Sequence, residues 1–153
     1  MEAEALRDSH KHFSARCFNE TWNYITKDPR SEEDIDHMLH LAHSSFWHWT
    51  RREDFTDRER SIGAWLLARV YALAGHADLA RRYGHACLAS AEKGNTGAFF
   101  IGYAHEALAR AERAAGNQAA MDEHMRRDRA NADQVMDLDD RGLLVKDLDQ
   151  MNA

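Results

Sequence analysis

The chain has 153 residues, the size of one domain that can bury a core without a metal ion or disulfides. Its 26 acidic and 20 basic side chains give a net charge of −6, which argues against binding to nucleic acid or an anionic membrane. Valine and isoleucine together number only seven, too few for a sheet, so we predict an all-α protein.

The first two helices are predicted over residues 3–51. Phe13 and Trp22 fall on one apolar face of a helix over residues 3–25. Ser31, followed by three acidic residues, is a typical N-cap for the second helix. Together the two helices form a first hairpin.

A second hairpin is predicted over residues 56–93. Thr56 and Glu59 have the spacing of a capping box, which marks a helix start. Gly75 lies in the tight turn between the two helices, and we expect Gly94 to end the second helix in the left-handed conformation.

A third hairpin is predicted over residues 97–132, followed by a last helix over residues 139–151. Asn95 or Thr96 is the expected N-cap of this hairpin, and Gly116 lies in its turn. The last helix carries apolar residues at helical spacing, so we expect it to cap the stack: Leu144, Leu148 and Met151.

One helical pattern occurs twice. Leu67-Ala68-Arg69 with Gly75 recurs as Leu108-Ala109-Arg110 with Gly116, a period of 41 residues. This period is typical of stacked helical hairpins, which bury their cores only against neighbouring hairpins. We therefore predict a single helical repeat domain over residues 1–153.

The segment from Ala64 to Tyr71, with Ala80 downstream, resembles a tetratricopeptide repeat. A longer part of the chain, including Tyr103-Ala104-His105-Glu106-Ala107-Leu108-Ala109-Arg110, is similar to a group of bacterial tetratricopeptide-like proteins. The resemblance implies a right-handed α-solenoid of about three antiparallel helical hairpins with a C-terminal capping helix. It implies no catalytic activity.

In the tetratricopeptide family the first helix of each hairpin lines a concave binding surface. Carried over by position, this implies a binding site formed by Trp65, Arg69, Tyr103, Glu106 and Arg110. Its partner would be a protein or peptide, with a second copy of the chain as the alternative. Trp, Tyr and Arg dominate binding hot spots, and Glu106 could pair with a basic ligand group. Alternatively, Trp65 with Arg69 and Glu106 with Arg110 are i,i+4 pairs that satisfy each other. We expect a non-enzymatic interaction module with no cofactor.

The ten histidines suggest a second class of function. His37, His40 and His43 share a helix at i,i+3 spacing, a possible set of metal ligands. A small-molecule or metal site, possibly of an enzyme, could also form around His43, Trp47, His48 and His85. Alternatively, His37 and His40 face solvent, His43 is internal and hydrogen-bonded, and the aromatic residues near His48 only pack between hairpins.

The N-terminus lacks the basic start and apolar core of a signal peptide, and no apolar stretch is long enough to cross a membrane. Cys17 and Cys87 are far apart in the chain, so we expect both thiols to be reduced and buried. These features favour a soluble cytoplasmic protein.

Overall fold

The computed structural model describes residues 2–152, which form seven α-helices and no β-strand. The helices are α1 Glu2–Ile25, α2 Glu32–Thr50, α3 Asp57–Leu73, α4 Ala77–Lys93, α5 Ala98–Ala115, α6 Gln118–Gln134 and α7 Leu138–Gln150. The predicted all-α class is confirmed for this part of the chain. Each predicted helix is present close to its expected bounds.

Two predicted helix starts are capped as their sequences indicate. At α2, the Asp34 backbone N–H donates to Ser31 Oγ at 3.1 Å, and the Ser31 N–H donates to the Asp34 carboxylate at 2.9 Å. At α3, the Thr56 N–H donates to the Glu59 carboxylate at 3.1 Å. These reciprocal bonds satisfy N–H groups that a helix end would otherwise leave free.

The start of α5 differs from its prediction. Neither Asn95 nor Thr96 caps this helix; its N-cap is Gly97, whose φ of 93° only glycine adopts readily. The Thr96 hydroxyl instead donates to the carbonyl of Ala91 in α4 at 2.8 Å. Thr96 thus satisfies the end of the preceding helix rather than the start of its own.

Glycines form the two equivalent turns, Gly75 with φ 82° and Gly116 with φ 73°. The expected left-handed conformation of Gly94 is wrong, because its φ is −76°. Asn95 takes a positive φ of 50° instead, so the left-handed residue lies one position further along the chain.

Consecutive helices pack in pairs, α1 with α2, α3 with α4, and α5 with α6. α2 contacts α3, α4 contacts α5, and α3 also packs directly against α5. α7 contacts both α5 and α6. α3, α5 and α7 are therefore neighbours across the hairpins, and α1 meets α3 through the rings of Trp22 and Trp65. We call α1, α3, α5 and α7 the odd helices.

The core lies between these hairpins. Met38 of α2 packs with Leu66, Leu67 and Val70 of α3, and all four side chains are almost completely buried. A second cluster brings Met121 and Met125 of α6 together with the last helix. The predicted inward residues of α7 are buried: Leu144, Leu148 and Met151.

The apolar face predicted for α1 is partly wrong. Phe13 is 42% exposed, and the small polar residues Ser14 and Thr21 are buried instead. Ser45 of α2 donates its hydroxyl proton to the Ser14 carbonyl at 2.8 Å, so small side chains let the two helices approach closely. Cys17 on the same helix is only half-buried, whereas Cys87 is buried as expected.

Candidate functional site

The odd helices carry a continuous row of aromatic and charged side chains. The ring centroids of Trp22 and Trp65 are 5.7 Å apart, and those of Trp65 and Tyr103 are 5.6 Å apart. Tyr103 donates its hydroxyl proton to Asp147 of α7 at 2.7 Å. We call this surface the odd-helix face and define it by Trp22, Trp65, Arg69, Tyr103, Glu106, Arg110 and Asp147.

Glu106 is the acceptor at the centre of the odd-helix face. Its carboxylate accepts hydrogen bonds from Trp65 Nε1 at 2.9 Å and from Arg69 at 3.4 Å, both on α3. It also accepts one from Arg110, one helical turn further along α5. Glu106 has no exposed surface, so the expectation that it contacts a basic ligand is wrong. Its carboxylate is bound by side chains of the same chain instead.

The 41-residue period is also the separation of residues that lie together on α3 and α5. Trp65 and Glu106, which share a hydrogen bond, are 41 residues apart. The same separation relates Arg69 to Arg110, and both guanidinium groups bind Glu106. The five residues predicted as a site are therefore brought together, with Tyr103 in contact with Trp65.

The odd-helix face carries more hydrogen-bond donors than acceptors. Two guanidinium groups, those of Arg69 and Arg110, share the single carboxylate of Glu106. Among residues 2–152, the buried atoms Nε of Arg69 and Nη2 of Arg110 have no hydrogen-bond partner. Burial and the nearby charge of Arg110 lower the pKa of Arg69.

Trp65 and Tyr103 are half-buried, so part of each side chain remains accessible. Burial and the hydrogen bond to Asp147 raise the pKa of Tyr103, which keeps its hydroxyl protonated as a donor. Arg69 also lies over the ring of Trp22, with its guanidinium carbon 5.6 Å from the centroid. Neighbouring side chains therefore hold the aromatic groups in fixed positions.

An apolar pocket of about 180 Å³ opens between α3, α4 and α5 beside the Trp65–Tyr103 contact. Its lining is Ser61, Ile62, Trp65, Cys87, Phe99, Phe100 and Tyr103. Burial raises the pKa of Cys87 to about 12, so the thiol is protonated and unreactive at neutral pH. The Ser61 hydroxyl lies 3.2 Å from the Cys87 carbonyl oxygen and is satisfied there. The pocket suits an apolar group rather than a nucleophilic reaction.

A cationic pocket of about 290 Å³ lies on the other side of the Glu106 network. Three arginines line it, Arg69 from α3 and Arg110 and Arg113 from α5, together with Ala72, Leu73 and Ala114. No acidic residue belongs to this lining. We call it the arginine pocket, and its composition favours an anionic group.

Two acidic residues of this region carry no signal in the sequence that distinguishes them from surface acids. Asp147 on α7 accepts the bond from Tyr103 described above. Asp128 on α6 is completely buried, and neither of its oxygens has a hydrogen-bond partner within residues 2–152. Burial, followed by the nearby charge of Glu106, raises the pKa of Asp128 to about 8.

The histidines predicted as alternative ligands are directed to different neighbours. His37 lies 3.4 Å from the hydroxyl of Tyr24, and His40 is exposed. His43 is also exposed, contrary to expectation, although its ring does share a hydrogen bond of 2.7 Å with Tyr71. Residues 2–152 contain no group of three or more His, Cys, Asp or Glu side chains placed to hold a metal ion.

The site predicted around His43, Trp47, His48 and His85 is not assembled either. His48 pairs with His10 of α1, with the two Nδ1 atoms 2.9 Å apart, whereas His43 faces aromatic residues of α3 and α4. Trp47 is 60% exposed, and the side chain of His85 is also exposed. The structure therefore does not gather these residues into one pocket.

No match to the chain was found among protein-family models, curated proteins or solved structures. Of the helices formed by residues 2–152, none has both the length and the apolar character required to span a bilayer.

Proposed function

We propose that the chain is a non-enzymatic, tetratricopeptide-like helical stack that binds an extended segment of a protein partner along its odd-helix face. The observation that carries this proposal is the placement of an apolar pocket and an arginine pocket on either side of the Trp65–Glu106 hydrogen bond. The alternation of helix contacts and the 41-residue relation between α3 and α5 support the repeat architecture.

The apolar pocket has room for one side chain of a ligand. A cavity of roughly 150 Å³ with apolar walls accepts a benzene molecule, and this pocket measures about 180 Å³. Transfer of a leucine or phenylalanine side chain from water into such a site contributes about 1.5–3 kcal/mol. The pocket therefore supplies an anchor position for a peptide.

The Glu106 network supplies rigidity. Because Arg69, Arg110 and Trp65 all bind one buried carboxylate, their positions are fixed before any ligand arrives. A site that is already ordered loses less conformational entropy on binding, which raises affinity. A protein segment is the favoured occupant, since it can offer apolar and anionic groups on one chain.

Binding of a peptide by the apolar pocket can be tested with a charge placed at its edge. Peptides would be selected from a random displayed library on the wild-type protein, and their affinities measured by fluorescence anisotropy. Ile62 lines the pocket and is half-buried, so Ile62→Glu should weaken binding at least about tenfold. Leu138→Glu, at a side chain that is 77% exposed on α7, is the matched control.

Circular dichroism of both variants would verify that helicity is retained. The proposal fails if no peptide is selected or if Ile62→Glu binds as tightly as the wild type. Light scattering on the same samples tests the other possible occupant. A wild-type dimer that Ile62→Glu dissociates would show that a second copy, rather than a foreign protein, covers the face.

A further inference from the structure

The two pockets lie at a fixed separation along α5. Tyr103 lines the apolar pocket and Arg110 lines the arginine pocket, two helical turns further on. At a rise of 1.5 Å per residue this separation is about 10 Å. An extended chain covers about 3.3 Å per residue, so the same distance corresponds to roughly three residues of a bound strand.

The parallel arrangement of α3 and α5 supports this separation. The apolar pocket uses Ile62 and Trp65 of α3, and the arginine pocket uses Arg69 and Leu73 of the same helix. Both helices therefore pass from one pocket to the other in the same direction. A ligand that lies parallel to α3 and α5 therefore meets the apolar pocket and the arginine pocket in turn.

The arginine pocket has more cationic groups than neighbouring acids can pair. Glu106 binds both Arg69 and Arg110, and Asp147 is a second acid whose charge acts on Arg69. Arg113 is exposed and forms no ion pair with the described residues. Glu106 and Asp147 therefore leave Arg113 as the cation of this pocket that has no acidic partner in that part of the chain. The arginine pocket is thus a local cationic region in a chain whose net charge is −6.

We infer that the bound segment is acidic, with an apolar side chain in the apolar pocket and an aspartate or glutamate about three positions away in the arginine pocket. This inference rests on the proposed peptide-binding function. The carboxylate would bind the exposed guanidinium of Arg113, and the field of Arg69 and Arg110 would strengthen that bond.

The inference is tested by parallel selections from one random displayed peptide library. The baits are the wild-type protein, Arg113→Glu and the matched control Arg82→Glu, which changes an exposed arginine on α4. Wild-type protein and control should both select peptides with an apolar residue three positions from Asp or Glu. Arg113→Glu should lose the acidic preference and favour Lys or Arg at that position.

One synthetic wild-type binder and its Glu→Gln or Asp→Asn form provide the quantitative check. The neutral peptide should bind the wild type about tenfold more weakly. It should differ less than about twofold from the acidic peptide on Arg113→Ala, since the partner of the carboxylate is then absent.

The outcomes separate this inference from the proposed function. Selected peptides that share an apolar anchor without an acidic residue, or with the acid at another spacing, overturn the inference and leave peptide binding in place. An unchanged acidic preference on Arg113→Glu also overturns it. If no bait selects any peptide, both the inference and the proposed function fail.

Discussion

Two buried carboxylates in this protein, Glu106 on α5 and Asp128 on α6, have opposite surroundings. Both have no exposed surface. Glu106 accepts hydrogen bonds from three donors, whereas Asp128 has no partner among residues 2–152. The pKa of Asp128 is raised to about 8, mainly by burial. Two acids at the same depth therefore differ because donors surround one carboxylate and none reaches the other.

The difference follows from what each helix faces. Position 106 is directed at α3, which contributes an indole and a guanidinium. Asp128 lies against Gly102 of α5, where one carboxylate oxygen is 3.2 Å from the position that a Cβ would occupy. Leu144 of α7 is also in contact with that position. This neighbourhood offers Asp128 no donor.

The largest expected effect is the loss of the Glu106 charge. Glu106→Gln removes the charge of the carboxylate that both Arg69 and Arg110 bind in a largely buried site, so the free energy of unfolding should fall by about 3–5 kcal/mol. Urea unfolding followed by circular dichroism measures this change.

Glu123→Gln is the matched control for that substitution. Glu123 also pairs with two arginines, Arg126 and Arg127, but these partners are on the surface of α6. Removing its charge should change stability little, because exposed ion pairs contribute little. Equal losses in the two variants would contradict the central role given to Glu106.

The second effect depends on pH and should have the opposite sign. In the folded protein Asp128 keeps its proton up to about pH 8, whereas an unfolded chain loses it near pH 3.8. Between these values the unfolded state binds fewer protons, so stability falls as pH rises. Asp128→Asn removes this loss, so its stability relative to the wild type should rise by up to about 1.4 kcal/mol per pH unit between about pH 4 and pH 8.

Urea unfolding at a series of pH values gives the test, read as the difference between Asp128→Asn and wild type. His105 is buried and its pKa is lowered to about 4, which gives a slope of the other sign at acid pH. That slope is common to both proteins and cancels in the difference. The exposed Asp133→Asn should run parallel to the wild type, and a parallel curve for Asp128→Asn would refute the assignment.

The smallest effect concerns Gly102, the glycine of α5 that lies against Asp128. A Cβ at Gly102 would lie 2.5 Å from a methyl group of Leu144 and 3.2 Å from Asp128, so Gly102→Ala must displace the buried Leu144 side chain and should cost about 1–3 kcal/mol. Gly142→Ala on α7 meets no atom within 4 Å and should instead stabilise the helix by up to about 1 kcal/mol. Thermal unfolding of the two variants distinguishes them, and a shift of the same sign in both would exclude the steric explanation.

The helices and their order could be predicted from sequence because their signals are local. The capping boxes at Ser31 and Thr56 involve residues within one helical turn. The turn glycines, Gly75 and Gly116, adopt the conformation that their position in the repeat indicates. The hydrogen bond between Trp65 and Glu106 also spans 41 residues, but the sequence analysis did not predict it.

The sequence by itself determined the all-helical class, most helix bounds and the grouping of five candidate residues on one face. Only the tertiary structure decided that Glu106 is internal, that Asp147 joins Tyr103, and that Asp128 has no donor. Helix starts depend on neighbours a few residues away along the chain, whereas the state of a charged side chain depends on what other helices place against it. A helical sequence pattern gives the direction in which a side chain points from the helix axis. It does not identify the atoms of other helices that contact that side chain.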